Sequence, residues 1–255
     1  FLEPWLGGKR PNSLSASVYY SIQTGLSERY RNAVNDRLNP YYGYGYNSRL
    51  TGTGYTNEYD SGTRMFTFGA SLGIGTRLRW PDDYFSLYTE LSYQQYNLKN
   101  WYDYYFGFKN GLSNNLSLGI TLQRNSIDNP IYTRKGSVFT LSLNVTPPYS
   151  LLSGKDYSNM PAEQTRRWIE YHKWKFSAKM FTPISRNEKL VLMTRVEYGF
   201  VGYFNKYKRT PFEKFYVGGD GMSAYSSPGT EIVGLRGYNS GALTPINPTT
   251  RTSNG

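Results

Sequence analysis

The 255-residue sequence has no cysteine and only one histidine, His172. The absence of cysteine excludes disulfide bonds and thiolate metal sites but fixes no compartment, because many exported proteins also lack it. No run of about 18 apolar residues occurs, which excludes a transmembrane helix. It does not exclude strands that cross a membrane, since these need only about ten residues with apolar side chains at alternate positions.

Signals of enzyme chemistry are also scarce. His172 has no recognisable serine or cysteine nucleophile as a partner, and no cluster of metal-ligating residues occurs. The two G-x-G matches, at 43–45 and 73–75, lack the rest of a dinucleotide fingerprint. Asp82 and Asp83 are adjacent and fit a turn better than an acid–base pair. We therefore expect no enzyme, no catalytic residues, no cofactor and no metal.

What the chain has in excess is tyrosine and positive charge. It contains 26 tyrosines, and its net charge is +11. Tyrosine suits strands and the boundary between lipid and water. The charge fits either a solvated basic surface or an anionic partner such as lipid headgroups or nucleic acid. No helix-turn-helix, zinc-finger or basic-helix pattern occurs, so we expect no nucleic-acid partner.

Seven segments alternate apolar residues with small or polar ones, which predicts strands. In the second segment, for example, Phe66, Phe68, Ala70, Leu72 and Ile74 alternate with threonine, serine and glycine. The seven segments are Ser13–Gln23, Met65–Thr76, Phe85–Tyr96, Asn114–Arg124, Ser137–Val145, His172–Thr182 and Leu190–Tyr203. Helical periodicity is nearly absent, and only Ala162–Tyr171 is predicted as a short helix.

The connections between these segments alternate between long and short. Outer-membrane barrels have this asymmetry, with short periplasmic turns and long extracellular loops. The polar face is rich in glycine and serine, which suits a barrel lumen. We therefore predict an all-β fold, an antiparallel transmembrane β-barrel that is partial because seven strands cannot close it. A soluble, tyrosine-rich β-sandwich that binds glycan is the alternative from a different class.

Aromatic residues near the ends of the strands add two further expectations. Trp5, Trp80 and Trp101 lie beside predicted turns or loops, where an aromatic girdle would lie. Tyrosines crowd the long loop at positions 41, 42, 44 and 46. They either cap the barrel or dock partner proteins, and capping is the preferred interpretation.

Three landmarks in the sequence resemble the BamA-like outer-membrane-protein insertases. Phe215-Tyr216-Val217-Gly218-Gly219 is similar to the family's F-Y-x-G-G strand end, and Leu235-Arg236-Gly237-Tyr238 to its [VI]-R-G-[FY] loop motif. Leu235 departs from the usual valine or isoleucine. The opening FLEPWLGGKRPNSLSASVYY and the later IDNPIYTRKGSVFTLSL resemble a family strand start and a strand-to-strand turn, with Thr133 at the usual proline position.

The resemblance implies that residues 1–255 are about seven strands of a sixteen-stranded barrel, with a lumen-inserting loop at 205–255. Periplasmic domains and the remaining strands would lie outside this chain. The implied function is to fold and insert β-barrel proteins into the bacterial outer membrane by strand addition at a lateral seam. The implied partners are outer-membrane lipids, client β-barrel proteins and accessory lipoproteins. A related barrel acting as a secretion pore or as the membrane anchor of a surface hydrolase is the alternative.

The resemblance also assigns roles within the loop motif. Arg236 is expected inside the lumen, paired with acidic residues on later strands, because an unpaired buried guanidinium would be costly. Gly237 is expected to allow close backbone approach, and Tyr238 to pack in the lumen. Glu90, Arg195 and Glu197 face the polar side as possible lumen charges, and no acidic partner of Arg236 is assigned.

Overall fold

The computed structural model describes residues 1–8, 12–26, 59–101, 107–219, 229–238 and 243. It contains an eight-stranded antiparallel sheet in which every strand pairs with its neighbour in sequence. The strands of this sheet are β1 (Leu2–Glu3), β2 (Asn12–Leu26), β3 (Tyr59–Arg77), β4 (Phe85–Lys99), β5 (Gly111–Asn125), β6 (Gly136–Val145), β7 (His172–Pro183) and β8 (Val191–Gly202). The seven predicted strands are thus confirmed. Several are longer than predicted, and a short first strand joins them.

The strand register separates a polar face from an apolar face. Ser17 lies opposite Ser71, Ser71 opposite Ser92, and Ser92 opposite Ser117. Two hydroxyl–hydroxyl hydrogen bonds of 2.8 Å, Ser17–Ser71 and Ser92–Ser117, run along this row. Because side chains alternate along a strand, a one-residue slip would turn the polar row onto the other face.

One segment of β3 matches a catalytic pattern that sequence reasoning missed. Residues 69–73, GASLG, fit the G-x-S-x-G sequence of a hydrolase nucleophile elbow. Such an elbow requires a sharp turn between a strand and a helix. Here the segment lies inside a regular strand, and the hydroxyl of Ser71 bonds to that of Ser17. The match therefore has no catalytic geometry.

The apolar face is uncovered. Val18 is 73% exposed and Val196 61%, and Phe68, Leu118 and Phe176 keep between 38% and 39% of their surface. In a soluble sandwich a second sheet would cover this face, but in the part of the chain that the structure describes nothing packs over it. The structure thus has the open, one-sheet form of part of a barrel rather than a sandwich.

The buried core lies on the opposite side, at the end of the sheet that carries the long loops. Met65, Tyr96 and Leu98 on the strands meet loop residues there, and Trp101 is 1% exposed among them. The full cluster is Met65, Tyr96, Leu98, Trp101, Phe108, Ile169, Tyr171 and Phe212. Placing Trp101 in an aromatic girdle was therefore wrong, whereas Trp5 and Trp80 are exposed. The tyrosines at 41, 42, 44 and 46 lie outside the described residues.

The connection between β6 and β7 fills a gap in the sheet. It carries two short helices, α1 (Tyr149–Ser153) and α2 (Ala162–Thr165). The predicted helix over Ala162–Tyr171 is therefore only four residues long, because its second half pairs with β5: the N–H of Asn114 donates to the carbonyl of Arg167, and that of Ile169 to the carbonyl of Asn114. This pairing provides hydrogen-bond partners for the backbone of β5 at Asn114, beyond the residues that pair with β6. No helix in the described ranges is long and apolar enough to span a bilayer.

Candidate functional site

The candidate site is the chain after β8, which turns back and lies on the polar face of the sheet. Phe212, fully buried, stacks on Tyr96 of β4 with ring centroids 4.5 Å apart and planes 13° from parallel. Beyond it come two four-residue strands, β9 (Lys214–Val217) and β10 (Thr230–Val233), which pair in parallel. We call residues 212–219 and 229–238 together the inner loop.

One lysine on the wall gathers both strands of the inner loop. The Nζ of Lys173 on β7 lies 2.9 Å from a carboxylate oxygen of Glu213 and 2.6 Å from one of Glu231. It also donates to the carbonyl of Gly229 at 3.1 Å. Lys175, two residues along β7, lies 3.2 Å from Glu231. Because Lys173 is 3% exposed, its ammonium group is held away from bulk water, where an unpaired charge would be costly.

The two glutamates that share Lys173 differ in their surroundings. Burial raises the pKa of Glu213, and the nearby charge of Lys173 opposes this rise. Glu231 is more exposed, and although burial acts in the same direction, its bonds to Lys173 and Lys175 lower its pKa. The carboxylate of Glu231 is therefore the better stabilised of the two at neutral pH.

Shape complementarity adds to the charges. The ring of Phe215 covers Gly199 on β8 so closely that a Cβ at Gly199 would lie 2.6 Å from its Cζ. The Nζ of Lys173 lies 5.1 Å from the centroid of the same ring, within range of a cation–π contact. The glycine on the polar face of β8 thus provides the space into which the inner loop packs.

We expect Gly199→Ala to push Phe215 away from the wall and destabilise the inner loop by about 1–3 kcal/mol, the usual cost of overpacking. Hydrogen exchange of β9 amides in the purified full-length protein measures this effect. The smaller side chain in Gly199→Ala/Phe215→Leu should restore part of the lost protection. Unchanged exchange in Gly199→Ala would mean that the loop does not rest on this wall.

The two motif segments that lie apart in sequence are bonded to each other. The N–H of Gly218 donates to the carbonyl of Val233 at 3.0 Å, and that of Leu235 to the carbonyl of Gly219 at 2.8 Å. The N–H of Gly219 donates to the carbonyl of Tyr238 at 2.9 Å. Gly218 and Gly219 have φ values of 117° and 87°, which side-chain-bearing residues rarely adopt. The glycine pair is therefore the backbone cradle on which the loop motif rests.

The motif itself lies at the far end of this cradle. Arg236 is exposed and forms no ion pair with any residue that the structure describes. Leu235 and Tyr238 are also partly exposed. Gly237 has a φ of 88°, and no described atom lies within 4 Å of where its Cβ would be. The backbone conformation therefore favours glycine here, and the close backbone approach that we expected stays a prediction.

The three expected lumen charges all lie away from Arg236. Arg195 and Glu197 pair with each other on β8 at 2.5 Å, and Glu197 also accepts from the hydroxyl of Ser177. Glu90 lines a polar cavity of about 290 Å³ in the sheet wall, which Glu213 also lines. Among described residues none of these charges contacts Arg236, so its acidic partner stays a prediction for strands beyond this chain.

Sequence reasoning missed the ion cluster around Lys173. One signal was available, because Lys173, Lys175 and Lys179 recur at every second or fourth residue on the polar side of β7. Three lysines on a face that is rich in serine and glycine call for acidic partners. Glu213 and Glu231 lie close to the motif segments in sequence, but no sequence pattern predicts that they pair with those lysines.

Comparison with known protein families assigns the chain to a family. The model of the Omp85 superfamily domain matches residues 1–255. The chain belongs to the Omp85 superfamily. The resemblance to the BamA-like family that the motifs carried is thereby confirmed, as is the outer-membrane β-barrel class of the fold. Among proteins with curated functions, none matches the chain by sequence.

A solved structure extends the match to three dimensions. The Omp85 chain is similar to BamA from Haemophilus ducreyi lacking POTRA domains 1–3, with 19% sequence identity and a TM-score of 0.58. The match covers 96% of this chain and 37% of the BamA chain. At this identity the likeness establishes the fold. The chain spans about a third of that structure, so the activity of a whole protein is not carried over by it.

Proposed function

We propose that this chain is barrel wall and inner loop of a bacterial outer-membrane protein that folds and inserts β-barrel proteins. Insertion would proceed by strand addition at a lateral seam, where client strands pair with an open sheet edge. Its partners would be outer-membrane lipids, client β-barrels and accessory lipoproteins. No bond-making chemistry is proposed. The observation that carries the proposal is the attachment of the inner loop, with its Arg236 motif, to the polar face through Lys173.

The physical role of the inner loop would be to brace the wall from inside. An open barrel edge in lipid has unpaired backbone groups, which makes a seam costly unless the remaining wall is held in shape. The inner loop contacts β4 through Phe212, β7 through its two glutamates and β8 through Phe215. Arg236 would extend this brace to strands on the far side of the lumen.

We expect Arg236→Ala in the full-length protein to lower the amount of correctly folded client barrels at least severalfold, because the brace would lose its far contact. Arg236→Lys should recover only part of this, since a lysine cannot form the two parallel hydrogen bonds of a guanidinium. The measurement is the folded fraction of newly made outer-membrane proteins, read from their heat-modifiable electrophoretic mobility. Arg134→Ala, an exposed arginine in the short turn between β5 and β6, is the matched control.

Two results would count against this proposal in different ways. Normal client folding in Arg236→Ala would contradict the role of the motif. Normal client folding with failure to export a dedicated polypeptide would favour the secretion-pore alternative within the same superfamily.

A further inference from the structure

A cavity of about 580 Å³ lies at the end of the sheet that carries the long loops, away from the inner loop motif. Its walls come from α1, from the segment between α1 and α2, from α2 and the residues that follow it, and from Lys208. The volume is within the range of small-molecule binding sites. None of the functional roles proposed above uses it.

The cavity opens on the outward side of the sheet. Trp168, in its wall, forms a bridge with Asn114 of β5, and bridged residues place their side chains on the same face. The side chain of Asn114 accepts a hydrogen bond of 2.9 Å from the hydroxyl of Tyr93, which lies two residues after Leu91 on β4 and therefore shares its outward face. The site therefore lies at the rim of the uncovered apolar face, at the level where membrane headgroups would lie.

Two of the cations that line the cavity have no acidic partner among the described residues. Lys155 and Arg167 line it and are exposed, and in the described part of the chain neither forms an ion pair. The third lining cation is already neutralised, since the Nζ of Lys208 lies 3.5 Å from the buried carboxylate of Glu170. Two unused cations in one concave site favour an anionic ligand, and an arginine with a lysine suits a phosphate.

Apolar groups flank these charges. The rings of Tyr149 and Trp168 lie 5.2 Å apart in the wall, and Leu152 on α1 is 76% exposed at its edge. Leu151 beside it is 67% exposed. A soluble anion would leave this apolar surface exposed, whereas an acyl chain would cover it. Covering it would contribute a favourable free energy of about 25 cal/mol per Å² of apolar area removed from water.

We propose that this cavity binds the phosphate-bearing headgroup of a membrane lipid, with Lys155 and Arg167 on the phosphate and an acyl chain along Leu151 and Leu152. The proposal rests on the membrane placement in the proposed function but not on client insertion. The ligand class is an anionic, phosphorylated lipid or glycolipid of the leaflet that faces the long loops.

The test uses the full-length protein reconstituted in phosphatidylcholine nanodiscs that contain a small fraction of lipid A, a bis-phosphorylated, acylated glucosamine disaccharide. Retained lipid is counted by native mass spectrometry over a concentration series. We expect Lys155→Gln/Arg167→Gln to weaken apparent lipid A affinity about tenfold or more, since two charge-assisted contacts are lost. Arg134→Gln/Arg186→Gln removes the same charge from exposed positions in the short turns and should leave the affinity unchanged.

A second variant separates a lipid from a free anion. Leu152→Gln should weaken lipid A retention while leaving competition by inorganic phosphate unchanged. The proposal is overturned if the two double variants have the same apparent affinity for lipid A, or if inorganic phosphate binds as tightly as lipid A. Equal incorporation of all variants into nanodiscs shows that membrane placement holds, and the client-folding assay reports separately on the proposed function.

Discussion

Replacing Lys173 by methionine should release the inner loop from the barrel wall. The substitution keeps most of the side-chain volume but leaves Glu213, nearly buried, and Glu231 without the cation that they share. Removing one partner of a buried ion pair typically costs about 3–5 kcal/mol. At about 1.4 kcal/mol per factor of ten, hydrogen exchange in β9 and β10 should accelerate at least about a hundredfold. We also expect client folding to fall, as expected for Arg236→Ala.

Lys175→Met is the matched control, because Lys175 is on the same strand and the same face. Its side chain is 41% exposed, and among the described residues its one ion pair is with Glu231, so the expected cost is within about 1 kcal/mol. Adding Glu213→Gln to Lys173→Met should restore part of the protection, since the main penalty is an unpaired buried carboxylate. If Lys173→Met were as mild as Lys175→Met, the ion cluster would not be what holds the loop.

The sheet was predictable from the sequence because the residues of each strand alternate between apolar and polar, which shows which side chains share a face. Phe68 and Leu72 alternate with Gly69 and Ser71, and this period-two pattern is a local property that needs no knowledge of the partner strand. The face pattern then restricts the register, because a one-residue slip would turn the polar residues to the apolar side. The same reasoning gave the polarity of the two faces and the positions of the long loops.

The loop contacts were not predictable in this way. Trp101 was predicted to be a girdle residue, but it is buried in one cluster with Phe108 and Ile169, which come from two different loops. Lys173 and Glu213 are forty residues apart, and no pattern in the sequence pairs the one with the other. Such contacts depend on the path of irregular segments, which local periodicity does not encode. A family resemblance located the motif, but not the wall residue that holds it.

The second large effect is expected at Glu170, which ties two long loops together. Its fully buried carboxylate accepts from the N–H of Ser150 at 2.8 Å and from its hydroxyl at 2.6 Å. It also lies 3.5 Å from Lys208, whose Nζ is 4.9 Å from the ring of Tyr157. This cluster joins the β6–β7 connection to the segment that leads into the inner loop, so it should govern how both are held at the mouth of the barrel.

We expect Glu170→Gln to destabilise this region by about 3 kcal/mol, because Lys208 is left buried without a counter-charge. Faster hydrogen exchange and easier proteolysis between residues 146 and 171 would report the loss, and Glu163→Gln on the exposed side of α2 is the control. The double variant Glu170→Gln/Lys208→Met should be less damaged than the sum of its parts, since neither charge remains unpaired. Additive effects in that cycle would contradict a direct coupling and would assign the role of Glu170 to its hydrogen bonds with Ser150 alone.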